Sequence, residues 1–277
     1  MAEPRNTKSS IRVARIGGIE IRMHWTFLVL LVVVVWASMG KGAATVGVNL
    51  LWIAAVFASV LIHEYAHCIV ARQRGAVVED ILLLPIGGVS QLKKMPERAT
   101  DELAVAIVGP LTSLGLAVLA VAGGLAFGAH LWPPTLFAGS WFARMAWLNI
   151  LLGGFNLLPA LPMDGGRVLR AALERRHDRL TATRQAGRIA RILAMVMIVG
   201  GVFYDFWLIL IGIFVYLGAS AEEQAAERQR HVSAKAGPPR RTRPQPGDHD
   251  LSSAGASGNA LGNDGTELTA CSPSSKG

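Results

Sequence analysis

The chain has 277 residues, 52% hydrophobic and only 17% charged, with a mean hydropathy of +0.40. That balance excludes an ordinary soluble domain and fits a polytopic membrane protein. The net charge of +8 would suit nucleic acid, but the basic residues lie where a membrane protein carries them, so nucleic-acid binding is set aside.

From the N-terminus, residues 11–23 alternate apolar and polar in part, which predicts a short strand or hairpin at the membrane interface. A span takes roughly 20 mostly apolar residues. Six segments qualify as candidates, at about 24–40, 46–71, 102–128, 141–160, 189–203 and 206–220. Between the second and third, Val77 to Val89 looks β-like, broken by Pro85 and Gly87-Gly88. A small sheet there is tolerable near lipid only if protein or a water cavity satisfies its backbone. Gly109-Pro110 in the third span marks a kink or a close helix contact, read here as packing without chemistry. The last two spans are separated only by Tyr204-Asp205, which suggests a tight hairpin.

From about Ala221 the composition turns to Gly, Ser, Pro and charge, predicting a disordered tail. Its near part is basic (Arg228, Arg230, Lys235, Arg240, Arg241, Arg243), so it either lies close to anionic lipid heads or is simply solvated. The expected fold is therefore an all-α polytopic membrane protein. It has about six transmembrane helices, a membrane-embedded core over 1–221, a cytoplasmic tail over 222–277, and a small β-hairpin or sheet element.

Charge sets the expected topology. Arg5 to Arg22 precede the first span, Arg72 to Arg98 lie between the second and third, and Arg167 to Arg191 lie between the fourth and fifth. The opposite loops carry little beyond Lys41. The positive-inside rule then places both termini in the cytoplasm of a multi-pass cell-membrane protein. The first span reads as an uncleaved anchor. Cys68 and Cys271 make no disulfide framework, and Cys68 is read as packing.

The chemistry is concentrated in His63-Glu64-Tyr65-Ala66-His67, which ends the apolar run beginning at Val46. Histidines at i and i+4 share one helix face and can hold one Zn²⁺ between them, with the glutamate placed to take a proton from water. A charged residue at a helix centre costs about 2.5–3.5 kcal/mol on insertion scales, so ionisable residues in such a place are functional by default. A catalytic zinc has three protein ligands, which leaves one to find. Glu79, Asp80, Glu97, Asp101, Asp164 and Asp205 compete. The expected topology places His63, His67 and Asp164 near the cytoplasmic face and Asp205 on the other. Asp164 also follows two prolines and precedes Gly165-Gly166, a setting that could turn a carboxylate into the bundle or simply end a span.

H-E-x-x-H followed by Asn156, Pro159, Asp164 and Gly165 in the pattern N-x-x-P-x-x-x-x-D-G resembles the paired signature of the site-2 protease family of intramembrane zinc metalloproteases. The likeness extends over about residues 11–220, including His24-Trp25, Leu84 to Val89, and Gly109-Pro110. It implies one Zn²⁺ per chain, with His63, His67 and Asp164 as ligands and Glu64 as general base. It implies that Asn156 binds substrate backbone or stabilises the oxyanion, and that the Gly87-Gly88 strand pairs with unwound substrate. The implied partners are the lipid bilayer and a single-span membrane protein substrate of the regulatory kind. A homo-oligomer is compatible with the sequence. Unlike some members, the chain has no loop long enough for a PDZ domain and no CBS pair after its last span. A non-catalytic metal scaffold or transporter would need the ligands but not Glu64. A prenyl-protein type of membrane zincin would take a glutamate third ligand instead of Asp164.

Overall fold

The computed structural model describes residues 10–85, 87–94, 98–132, 135–136 and 138–236, with backbone only for 79, 89–94 and 229–236. By internal contacts the chain divides into Met1–Val232 and Ser233–Gly277, and every side-chain contact described below lies within the first unit. The predicted β elements are present and belong to one sheet. Strands β1 (Ser10–Ile16), β2 (Ile19–His24), β3 (Val77–Leu84) and β4 (Gly87–Lys94) lie in the order β1-β2-β3-β4. β1/β2 and β3/β4 are antiparallel hairpins, and β2 pairs with β3 in parallel, Ile21 beside Ile81. That parallel join is what the sequence reading lacked, because it links segments separated by a whole helix hairpin.

Among the described residues there are seven α-helices, in chain order α1 (Thr26–Ser38), α2 (Ala43–Gln73), α3 (Ala99–Ala126), α4 (Trp141–Asn156), α5 (Asp164–Leu173), α6 (Arg179–Phe203) and α7 (Phe206–Ala236). Each of the six apolar segments falls on a helix. Four helices, α2, α3, α6 and α7, are long and apolar enough to cross a membrane. α1 and α4, at 13 and 16 residues, are shorter apolar helices, below the roughly 20 residues of a full span. Large apolar side chains face outward, among them Val32, Trp36, Leu119, Val202 and Phe203, as lipid-facing helices demand.

Three boundaries differ from expectation. α6 begins ten residues before 189, because Asp178 caps it by accepting from the Thr181 N–H and its first turns are basic and extend beyond the apolar stretch. α7 runs through the compositional boundary at 221 to Ala236, since Ala, Glu, Gln and Arg are strong helix formers and Glu223 and Glu227 pair with Arg191 and Arg184 of α6. α5 is an additional short helix where a turn was read. Of the tail expected over 222–277, the part from residue 237 on, with Cys271, lies outside the described residues.

α2 organises the unit by presenting two faces. Leu61, Tyr65 and Cys68 pack on the sheet against Ile19, Ile21, Ile81 and Leu83, so Cys68 is a packing residue. The Gly17-Gly18 turn of the first hairpin sits against the Tyr65 hydroxyl, and Arg72 of α2 donates to the Gly17 carbonyl. The opposite face carries Ser59, His63 and His67 toward α3, α4 and α5. Small residues let these helices approach closely. A side chain on Gly153 of α4 would stand 3.0 Å from the Pro110 carbonyl of α3. Ala186, Ala190 and Ala194 of α6, spaced by four, form a ridge against Ala160, Leu161, Val215 and Ala219.

Candidate metal centre

His63 and His67 lie one turn apart on α2, both buried, at 3% and 6% exposure. Their outer nitrogens have fixed partners on α3. His67 Nδ1 donates to the Val105 carbonyl at 2.6 Å. A carbonyl only accepts, so His67 presents a bare Nε2, the tautomer a metal ligand needs. His63 Nδ1 is 2.9 Å from Ser113 Oγ, which lets the hydroxyl fix that ring in the same sense.

Asp164 completes the group from the first turn of α5. Its Oδ2 is 3.1 Å from His63 Nε2 and 3.0 Å from His67 Nε2, and the two nitrogens are 3.2 Å apart. A tetrahedral zinc with ligand bonds of about 2.0–2.1 Å has ligand–ligand edges of about 3.3–3.4 Å. The three atoms therefore stand within a few tenths of an ångström of the spacing such an ion imposes. Burial opposes ionisation of Asp164, but His63, His67 and the nearby Arg167 guanidinium hold its carboxyl well below the usual range. An anionic oxygen and two imidazole nitrogens are a donor set that suits zinc.

The local sequence explains how Asp164 arrives there. Added side chains on Gly165 and Gly166 would overlap the backbone of residues 157–158 and 160–161. Neither glycine has a positive φ. The Gly-Gly pair is thus required by close approach, and not by backbone freedom as the sequence suggests. α5 is pressed onto the chain that leads into it, and this brings its first carboxylate to the imidazoles.

Gly109 is the clearest departure from the sequence reading. A Cβ there would overlap His67 Nε2 and lie 2.8 Å from His63 Nε2. The Gly109-Pro110 step is a packing point as expected, but what packs against it is the pair of imidazoles. Val105, Gly109 and Ser113, spaced by four along α3, all touch the histidines. That spacing was the only available signal, and it has no meaning until α3 is known to face α2.

Glu64 is half-buried, and Gly88 of β4 lies against it, such that a Cβ on Gly88 would be 2.6 Å from Glu64 Cγ. The β element therefore stands beside the motif, and β4 is the sheet's terminal strand. The Asn156 amide donates to the Leu152 carbonyl of its own helix at 2.9 Å. The other acidic candidates have other neighbours. Asp80 faces Arg22, Asp101 pairs with Arg74, and Asp205 caps α7 by accepting from the Trp207 N–H. The side chain of Glu79 and all of Glu97 lie outside the described residues. Among the described residues, His63, His67 and Asp164 are the one group of three able to hold a metal ion.

The profile of peptidase family M50 matches residues 51–136 and 135–200. A zinc metalloprotease of Methanocaldococcus jannaschii is 38% identical over 232 residues, covering 82% of this chain and 65% of its own length. The Mycobacterium tuberculosis protein named as putative zinc metalloprotease Rip3 is 34% identical over 241 residues, covering 80% of this chain and 61% of its own. The chain thus spans less than two thirds of these two relatives. The solved site-2 protease from Methanocaldococcus jannaschii superposes with a TM-score of 0.56 at 37% identity, over 77% of this chain and 95% of that one.

Proposed function

The chain belongs to peptidase family M50, and we propose that it is an intramembrane zinc endopeptidase acting on single-span, membrane-anchored regulatory proteins. The observation that carries this reading is the convergence of His63 Nε2, His67 Nε2 and Asp164 Oδ2 beside Glu64 inside an apolar helix bundle. His63, His67 and Asp164 hold the ion. Bound zinc supplies Lewis acidity, bringing the pKa of water to about 7 and polarising a carbonyl. Glu64 takes the proton from the attacking water and delivers it to the leaving amine as the C–N bond breaks. Ser113 and the Val105 carbonyl keep the imidazoles in register throughout.

A substrate helix must unwind first, because its peptide groups are hidden in their own hydrogen bonds. Unwound groups in lipid cost several kcal/mol each unless paired. β4, as the terminal strand with Gly87 and Gly88 next to Glu64, offers an edge for such pairing by β-addition. Substrate helices with Gly or Pro near the cut are expected to be cleaved faster, and equal rates for a stiffened helix would count against strand pairing. Asn156 is assigned to the substrate backbone, which requires its amide to leave Leu152 on binding. Both termini are placed in the cytoplasm on charge alone.

The test is reconstitution of wild type, Glu64→Ala and Asp164→Ala with single-span substrates, measuring zinc content and cleavage together. Glu64→Ala should keep its zinc and lose cleavage by at least about 10²-fold. Asp164→Ala should lose zinc. Cleavage surviving in Glu64→Ala, or full zinc in Asp164→Ala, refutes these assignments.

A further inference from the structure

The two most buried charged side chains among the described residues play no part in the mechanism above. Arg170 on α5 and Glu102 on α3 are 4% and 2% exposed. Arg170 donates to Glu102 Oε1 through both Nε, at 3.0 Å, and Nη2. Its Nη1 is 3.3 Å from Glu222 Oε2 on α7, and Arg179 Nη2 is 3.3 Å from the second Glu102 oxygen.

A buried ion pair is weak evidence for stability, since replacing both partners by apolar residues is often neutral or favourable. Its effect is on position. α5 has ten residues, too few to hold itself, because isolated helices below about 12–15 residues are marginal. It carries Asp164 at its first position and Arg170 six residues on, about 9 Å along the axis. α3 carries Glu102, then Val105, Gly109 and Ser113, which contact the imidazoles. α7 carries Glu222 one turn beyond Gly218, against which Pro162 is seated, two residues before Asp164. One guanidinium therefore ties the helix that delivers the carboxylate to the helix that orients both histidines.

We propose that Arg170, gripped by Glu102, is the positioning residue that sets Asp164 at ligand distance from His63 and His67. This rests on the reading of those three residues as metal ligands. Removing the grip leaves α5 attached but free to shift along α3, and a shift of a few tenths of an ångström already degrades a metal site.

The experiment uses the full chain in detergent with Co²⁺ as probe, because its visible d–d bands report the number of ligands. Wild type, Arg170→Met, the apolar pair Arg170→Met/Glu102→Leu, and Arg170→Lys are compared for Co²⁺ affinity, band intensity and thermal midpoint. The apolar pair should melt near wild type yet bind Co²⁺ about tenfold more weakly, with altered bands. Adding Asp164→Ala to it should cost less than Asp164→Ala costs in wild type. An apolar pair that binds Co²⁺ with wild-type affinity and bands overturns the proposal while leaving the metal reading intact. Wild type that binds neither Co²⁺ nor Zn²⁺ overturns the metal reading, and the proposal with it. If the apolar pair does not fold, Arg170→Lys decides, since it keeps the charge but not the two-nitrogen grip. Weakened binding at an unchanged midpoint then supports positioning, and unchanged binding refutes it.

Discussion

Gly109→Ala is the smallest change that reaches the candidate metal centre without touching a ligand. The added methyl would lie 2.8 Å from His63 Nε2 and closer still to His67 Nε2. Carbon and nitrogen in contact need about 3.5 Å, so α3 or both imidazoles must withdraw, by about 0.7 Å at His63 and by more at His67. Withdrawal is resisted, because His67 is tied to the Val105 carbonyl at 2.6 Å and His63 to Ser113 at 2.9 Å, both on that same helix. Metal–ligand distances tolerate about 0.2 Å. Overpacking of this kind costs about 1–3 kcal/mol, and loaded onto the bound state it weakens zinc roughly 5- to 150-fold. The assay is competition for zinc against a chromophoric chelator, with thermal unfolding alongside. Gly115→Ala, on the same helix with nothing within 4 Å of the new methyl, is the control and should leave zinc affinity alone. A Gly109→Ala chain with wild-type zinc affinity would refute the inference that α3 closes directly on the imidazoles.

Gly88→Val should crowd Glu64, whose Cγ would stand 2.6 Å from the new Cβ, and lower kcat by about 10²-fold with zinc content unchanged. Loss of zinc instead would mean that β4 supports the ligands and not the base. Glu174→Gln tests a pH effect. Burial pushes the Glu174 carboxyl above its usual range, with Arg179 opposing the shift. The stability belonging to its protonated form is complete below the unfolded carboxylate value, near 4.3, and is lost as pH rises through the raised folded value. Glu174→Gln should therefore melt above wild type at pH 7, with the gap closing toward pH 4. A gap that is constant across that range would show that Glu174 ionises normally.

The apolar runs and the H-E-x-x-H spacing made α2 and its histidines legible, because both depend on local periodicity. The β character of 11–23 and 77–89 was legible for the same reason. What stayed hidden was non-local. Nothing near Ile21 or Ile81 announces that they lie side by side, and nothing near Val105, Gly109 or Ser113 announces that they face imidazoles. Gly165-Gly166 looked like a flexible turn, because a close approach of backbone to backbone leaves the same residues as a conformational demand. The extents of α6 and α7 were misjudged because apolarity marks where a helix meets lipid, whereas capping and helix propensity decide where it ends.

The partners of the metal centre are far apart along the chain, with His63 and Asp164 separated by 101 residues. During synthesis, α2 leaves the ribosome with both histidines and Glu64 long before α5 exists. A chain elongated only as far as α3 holds His63, Glu64 and His67 and lacks the Asp164 carboxylate. The three-atom group therefore comes together only once α5 is made, after four of the seven described helices have preceded it.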